Sequence, residues 1–318
     1  MITTETTYDV GLAPAVASAP AVAVARRTGF RWNAAALAVA PTAGVLLIAV
    51  YGFLLWSLVV SFTDSQFAPS FHFVGLDQYV RLWQNDRWQV SAANLLVFSL
   101  SFVAITVAIG LLLAILLDQK IRAEGVLRVI YLYPMAISLI VTGTAWKWIL
   151  NPELGLEKLL IDMGFQNASF DWLINPERAT YTLVIAAVWQ TVGFVMAIFL
   201  AALRGVDEEI IKAARLEGAS IYRIYWSIIL PMMRAPLFTV MVILIYQAVR
   251  SYDLVVSLTN GGPGYSSDLP TTFMFNLAFK RGQLAQGSAS AMMILLTVVV
   301  IIVPYLLSEM RHEKRHSH

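Results

Sequence analysis

Two groups of polar side chains interrupt long apolar stretches of this 318-residue chain. Gln190 and Thr191 form the first, with Phe194 one helical turn beyond Gln190 on the same face; Tyr246, Gln247, Arg250 and Ser251 form the second. An aromatic ring beside amide and hydroxyl groups suits a sugar, because the ring covers its C–H faces while the polar groups meet its hydroxyls. Gln190 and Gln247 suit equally well a plainer role, hydrogen bonding between helices. Arg250 and Asp253 stand three residues apart and are expected to pair with each other, which lowers the cost of burying either. An Arg250 that faced a ligand path without that partner would instead suit an anionic sugar, phosphorylated or sulfonated.

A third group lies in a polar segment between apolar runs. Asp207 is placed to cap a short helix, and Glu208 and Glu209 follow in its first turn, where acidic groups suit the positive end of the helix dipole. Lys212, Ala213 and Ala214 continue that helix, with the two alanines leaving a low ridge that another protein could approach or that serves ordinary packing. Gly218 can take the left-handed conformation that ends it, and a second helix is expected from Ala219 to Pro231. The segment reads as a docking surface.

Several chemistries are excluded. No cysteine is present, so disulfides, thiolate metal ligation and cysteine nucleophiles are ruled out. His72, His312, His316 and His318 are too scattered for a metal site. No Gly-x-x-x-x-Gly-Lys-Ser/Thr loop cradles phosphate. The outer-loop carboxylates read as solvated surface, and no catalytic constellation emerges. A formal net charge of +2 without a dense basic patch argues against nucleic acid.

The elements that must position these groups are membrane helices. Hydrophobic residues make up 58% of the chain and charged residues 13%, with mean hydropathy +0.70; a soluble domain carries about 25% charged residues. Six apolar runs reach the roughly 20 residues that cross a bilayer. They lie near Ala34 to Phe62, Asn94 to Leu117, Val129 to Leu150, Ala179 to Leu203, Leu237 to Leu258 and Gly287 to Leu307. The fold class is therefore all-α and polytopic. One set of alternate loops, holding Lys120, Arg204 and Arg311, carries 14 Lys and Arg; the other, holding Arg81, Arg178 and Lys280, carries six. Such a bias places both termini and the Gly218 loop in the cytoplasm.

Residues 1–28 read as a disordered cytoplasmic tail rather than a cleaved signal, residues 29–310 as the transmembrane domain with its polar loop at about 204–236, and residues 311–318 as a second tail. The stretch from Gly75 to Trp83 predicts a short helix on the outer surface, and Asn260 to Gly264 predicts a turn. Gly287 and Ala291, four apart, either pack the last span closely on a neighbour or fill space. Lys147 is expected to snorkel, and Trp32, Trp88, Trp146, Trp148 and Trp172 to anchor at the interfaces.

The spacing of Ala213, Ala214, Gly218, Ile228, Leu230 and Pro231 resembles the signature loop of ABC-importer permeases, with Lys212 where that family usually carries glutamate. The stretches Val74 to Tyr79, Leu258 to Pro263, Ala278-Phe279 and Gly287 to Ala291 extend the likeness over residues 34 to 310, closest to the carbohydrate-uptake branch of maltose and glycerol-phosphate permeases. The resemblance implies a six-helix type I importer fold in a bacterial inner membrane. It implies a second homologous permease, two cytoplasmic ATPase subunits that hold ATP and magnesium, and an extracytoplasmic solute-binding protein, with no cofactor in this chain. Glu208, Glu209, Lys212, Ala213, Ala214, Gly218 and Ala219 would then couple to the ATPase, Glu208 or Glu209 replacing the missing glutamate. The rival reading is an ion-gradient-driven secondary carrier, which would need paired repeats and ion ligands at mid-membrane.

Overall fold

A computed structural model describes residues 34–119, 121–167 and 169–316, with the side chains of residues 34–38, of Glu208 and of residues 304–316 outside the description. The expected N-terminal tail and Trp32 also lie outside it. The described residues up to Val50 and those from Tyr51 onward fall into two separate units. The first holds α1 (Ala34–Leu46) and the start of the π-helical turns at Leu47–Gly52.

In the second unit α2 (Phe53–Ser61) leads through a loop to α3 (Asp77–Trp83), the short helix expected there. Tyr79 fixes it by a 2.7 Å hydroxyl contact to Ser61, and Gln78 donates to the Thr63 carbonyl at 2.9 Å. α4 (Asp86–Asp118) starts eight residues before the expected span, because Asn85 caps it by accepting from the Arg87 and Trp88 amides. Trp88 is therefore drawn out of the interface and into a core with Leu82 and Phe273, only 4% exposed.

The third run is not one straight span. α5 (Glu124–Leu132) passes into a 3₁₀ turn at Tyr133–Ala136 and then, across a bend of 102°, into α6 (Leu139–Ile149). Pro134 has no amide to donate, and Ser138 restarts the helix as its cap. After α7 (Leu156–Asp162) comes α8 (Ala179–Arg204), the most buried helix, which packs along α4 and touches α5 and α12. Its Gly193 sits so close to the Tyr131 carbonyl that a Cβ there would overlap it. Gly193→Val should push α5 off α8 and cost about 1–3 kcal/mol, read as a lower midpoint of denaturant unfolding in micelles.

The chain continues through α9 (Glu208–Leu216), α10 (Ile221–Ile224), π-helical turns at Tyr225–Ile229 and α11 (Leu230–Met232). A 68° bend then leads into α12 (Arg234–Val249). The second helix of the polar loop does not stop at Pro231 but at Met232, since the widened π turns precede the proline, as such turns often do at kinks. The fifth run also breaks: α12 ends before Arg250 and Ser251, and α13 (Tyr252–Leu258) packs against α6. α14 (Pro270–Phe275) and α15 (Leu284–His316) complete the chain, α15 extending past the expected span at both ends. Gly287 approaches Ala278 closely enough that a Cβ would meet it at 2.7 Å, the tight-packing alternative for that small residue.

Among the described residues four helices are long and apolar enough to cross a membrane, and up to six spans result if each bent pair counts as one. The main core joins Phe98 and Phe102 of α4, Leu183, Met196 and Phe199 of α8, and Leu244 of α12. At one end of this bundle Arg204 reaches Glu124 at 2.8 Å and Asp118 at 3.7 Å, and Glu124 also accepts from Arg128 at 2.5 Å. These side chains tie the ends of α4, α5 and α8 together beside the Gly218 loop.

The opposite end holds an ion pair that the charge count did not anticipate. Arg87 meets Asp268 at 2.6 Å, and Asp268 is 1% exposed rather than solvated. Asp268 also accepts from the Thr272 hydroxyl at 2.5 Å, while Arg87 lies 4.6 Å over the Tyr265 ring. The turn at Asn260, Gly261 and Gly264 takes positive φ as its residue types demand.

Candidate ligand path and coupling loop

The two breaks in the membrane helices face one cavity. It has a volume of about 500 Å³ and lies among α4, α8, α12 and the bend before α6. Irregular backbone at membrane depth persists where it is buried in protein or lines a cavity, because free carbonyls and amides need partners there. The bend at Ile137 leaves its carbonyl free, and Gln190 Nε2 donates to it at 2.7 Å. At the second break Arg250 N donates to the Tyr246 carbonyl, Tyr252 N to the Arg250 carbonyl, and Ser251 Oγ to the Gln247 carbonyl.

Six of the seven candidates, Gln190, Thr191, Tyr246, Gln247, Arg250 and Ser251, line this cavity. Phe194 does not: it packs on the main core. Gln190 fills the inter-helix role while facing the cavity, and Thr191 donates to Gln247 Oε1 at 3.3 Å. Phe102, Met135, Leu139, Ala187 and Ile243 complete the lining. They were missed because nothing local separates them from other apolar residues; Pro134 was the single hint of a bend near Met135.

The expected pairing of Arg250 with Asp253 is absent. Helical spacing would bring them together, but the chain leaves the helix between them. Arg250 instead donates to the Tyr246 hydroxyl at 3.4 Å, and Asp253 is exposed without an ion pair among the described residues.

In the polar loop Asp207 caps α9 by accepting from the Glu209 amide at 2.9 Å, as its position predicts. Gly218 takes φ +80°, and Ala219 N donates to the Ala214 carbonyl at 3.0 Å, which closes the helix end. Ser220 caps the next helix. The two alanines part company: Ala214 turns into this chain's own core, and Ala213 is exposed, so the low ridge is a single residue wide. Glu209, Lys212 and Gly218 are exposed and Ala219 is half-buried. Leu216, 90% exposed, and Ile221, Tyr222 and Trp226 show apolar surface on the same segment. Sequence reading passed over them, although an apolar residue beside a helix-ending glycine is a usable signal.

Residues 106–315 match the family described as the binding-protein-dependent transport system inner membrane component. The chain belongs to that family. It is similar to a probable ABC transporter permease of Pyrococcus horikoshii, 36% identical over 84% of this chain and 92% of the relative. It is also similar to a xylose/arabinose import permease of Haloferax volcanii, 33% identical over 82% of this chain and 83% of the relative. Among solved structures, a bacterial ABC transporter involved in importing the acidic polysaccharide alginate superposes with a TM-score of 0.77, covering 87% of this chain and 95% of that one. At 18% identity that likeness carries the fold alone. The type I importer fold and the role of a transport subunit rather than an enzyme follow from membership, which sets aside the secondary carrier.

Proposed function

We propose that the chain is one of two nonidentical permease subunits of an ATP-driven sugar importer and that the cavity at the two helix breaks is the path of the sugar. The observation that carries this reading is the convergence of Gln190, Thr191, Tyr246, Gln247, Arg250 and Ser251 on one space of about 500 Å³, a volume that suits a small saccharide. The sugar named for the Haloferax volcanii relative supports it. An extracytoplasmic binding protein delivers the sugar, and two cytoplasmic ATPases that bind ATP and magnesium drive the cycle. The loop carrying Glu208, Glu209, Lys212, Ala213, Ala214, Gly218 and Ala219 receives their motion, with both chain termini on the same cytoplasmic side. Exposed Leu216 and Ala213 supply its contact surface.

Closure of the ATPases moves this loop, and the bent helices that follow it shift the cavity from inward to outward access. Because α12 begins directly after the 68° bend, displacement of the loop reaches Tyr246, Gln247 and Arg250 through one helix. Gln247→Ala removes an amide from the cavity and the acceptor of Thr191. It should lower ATP-dependent sugar uptake by about tenfold, the value of one or two lost hydrogen bonds, with unchanged assembly. The check is uptake by proteoliposomes holding the whole transporter; wild-type uptake by the variant would count against the path.

A further inference from the structure

We propose that the sugar carried through the cavity is anionic, a carboxylated, phosphorylated or sulfonated saccharide, and that Arg250 meets its charged group. This rests on the reading of the cavity as the sugar path.

Arg250 is the single charged residue among those that line the cavity; the others are apolar or neutral polar. Elsewhere the chain gives carboxylate partners to the arginines that hold its helices together: Arg87 has Asp268, Arg128 has Glu124, and Arg204 has Asp118 and Glu124. Arg250 has none among the described residues, and its hydrogen-bond partner is the neutral Tyr246 hydroxyl at 3.4 Å. A guanidinium carries five N–H donors in a planar fork, so most of them stay open to the cavity. Arg250 is exposed on this chain, so its fork is open to what enters the cavity, and a cation among membrane helices is retained where water or a ligand meets it.

The neighbours point the same way. Gln247 spends its Oε1 on Thr191, which leaves Nε2 as a donor without a partner among the described residues. Gln190 spends its Nε2 on Ile137, which leaves its Oε1 as an acceptor for a sugar hydroxyl. The Arg250 fork and the Gln247 Nε2 beside it are donors, matched to an acceptor-rich group such as a carboxylate, phosphate or sulfonate, which Arg binds with two parallel hydrogen bonds. The helix break holds Arg250 in place: its backbone bonds to Tyr246 and Tyr252 set it at the end of α12, where the helix dipole also favours a cation.

The test uses the whole transporter, with partner permease, ATPases and binding protein, in proteoliposomes. ATP-dependent uptake is measured for radiolabelled matched pairs: glucose with glucuronate, galactose with galacturonate, and glucose with glucose 6-phosphate. The acidic members are expected to be taken up over the neutral ones. Arg250→Gln should cut acidic uptake by about tenfold or more, and Arg250→Lys should keep an intermediate rate, because it retains the charge without the fork. Neutral uptake by the wild type that persists in Arg250→Gln and falls in Gln247→Ala overturns the anionic proposal and leaves the sugar path standing. Acidic uptake indifferent to Arg250→Gln overturns it too, as does a loss of neutral uptake in that variant. Uptake of no sugar in either series overturns the path as well.

Discussion

Asp268→Ala should destabilise the protein by about 3–5 kcal/mol, because it leaves Arg87 charged, largely buried and without its partner. Arg87 is 16% exposed on its side chain and Asp268 1%, so water cannot replace what is lost. The carboxylate also receives the Thr272 hydroxyl, and the arginine lies over Tyr265, so one substitution loosens α4, α14 and the turn between α13 and α14 together. Asn94 adds two bonds from α4 to the carbonyls of Tyr265 and Asp268. Arg87→Met combined with Asp268→Leu should recover most of the loss, since a buried ion pair replaced by apolar groups of similar size is often neutral. Chemical unfolding in micelles reads both effects. If Asp268→Ala unfolds at the wild-type midpoint, the pair does not hold this end of the bundle.

Gly218→Val should reduce ATP-driven uptake by at least about tenfold while the chain still inserts and assembles. Gly218 sits at φ +80° with open space where a Cβ would stand, so the cost is backbone strain rather than crowding. A side chain in the left-handed region costs about 1–2 kcal/mol, and a β-branched one suits it least. The loop relieves that strain by leaving the left-handed region, which breaks the Ala219 to Ala214 bond and changes the angle between α9 and α10. Gly218→Asn is the control, because asparagine tolerates positive φ and should keep most of the uptake. ATPase activity separates the outcomes: hydrolysis that continues without uptake identifies a broken linkage, whereas full uptake by the valine variant removes the loop from the mechanism.

Local pattern carried far in this chain. Capping by Asp207, the turn at Gly218 and the short helix at Asp77–Trp83 each depend on neighbouring residue types, and each appears as expected; between the two readings of Gly287 the structure selects close packing. The candidate cavity residues were legible because polar side chains stand out against an apolar span. Phe194 lies off the cavity, since a shared helix face does not say which neighbour a side chain meets. The Arg250 and Asp253 pairing failed for a related reason: three-residue spacing joins side chains only while the helix continues between them.

The sequence by itself determined the six apolar runs, the polar loop with its cap and glycine, and the family to which both belong. Tertiary structure alone decided where the third and fifth runs break, that these breaks share one cavity, and that Arg87 finds Asp268 181 residues away. Hydropathy sums the cost of leaving water along the chain and is blind to partners. A free carbonyl at Ile137 or a buried Asp268 is tolerable only because a distant side chain satisfies it, and that partner exists only once the helices have packed.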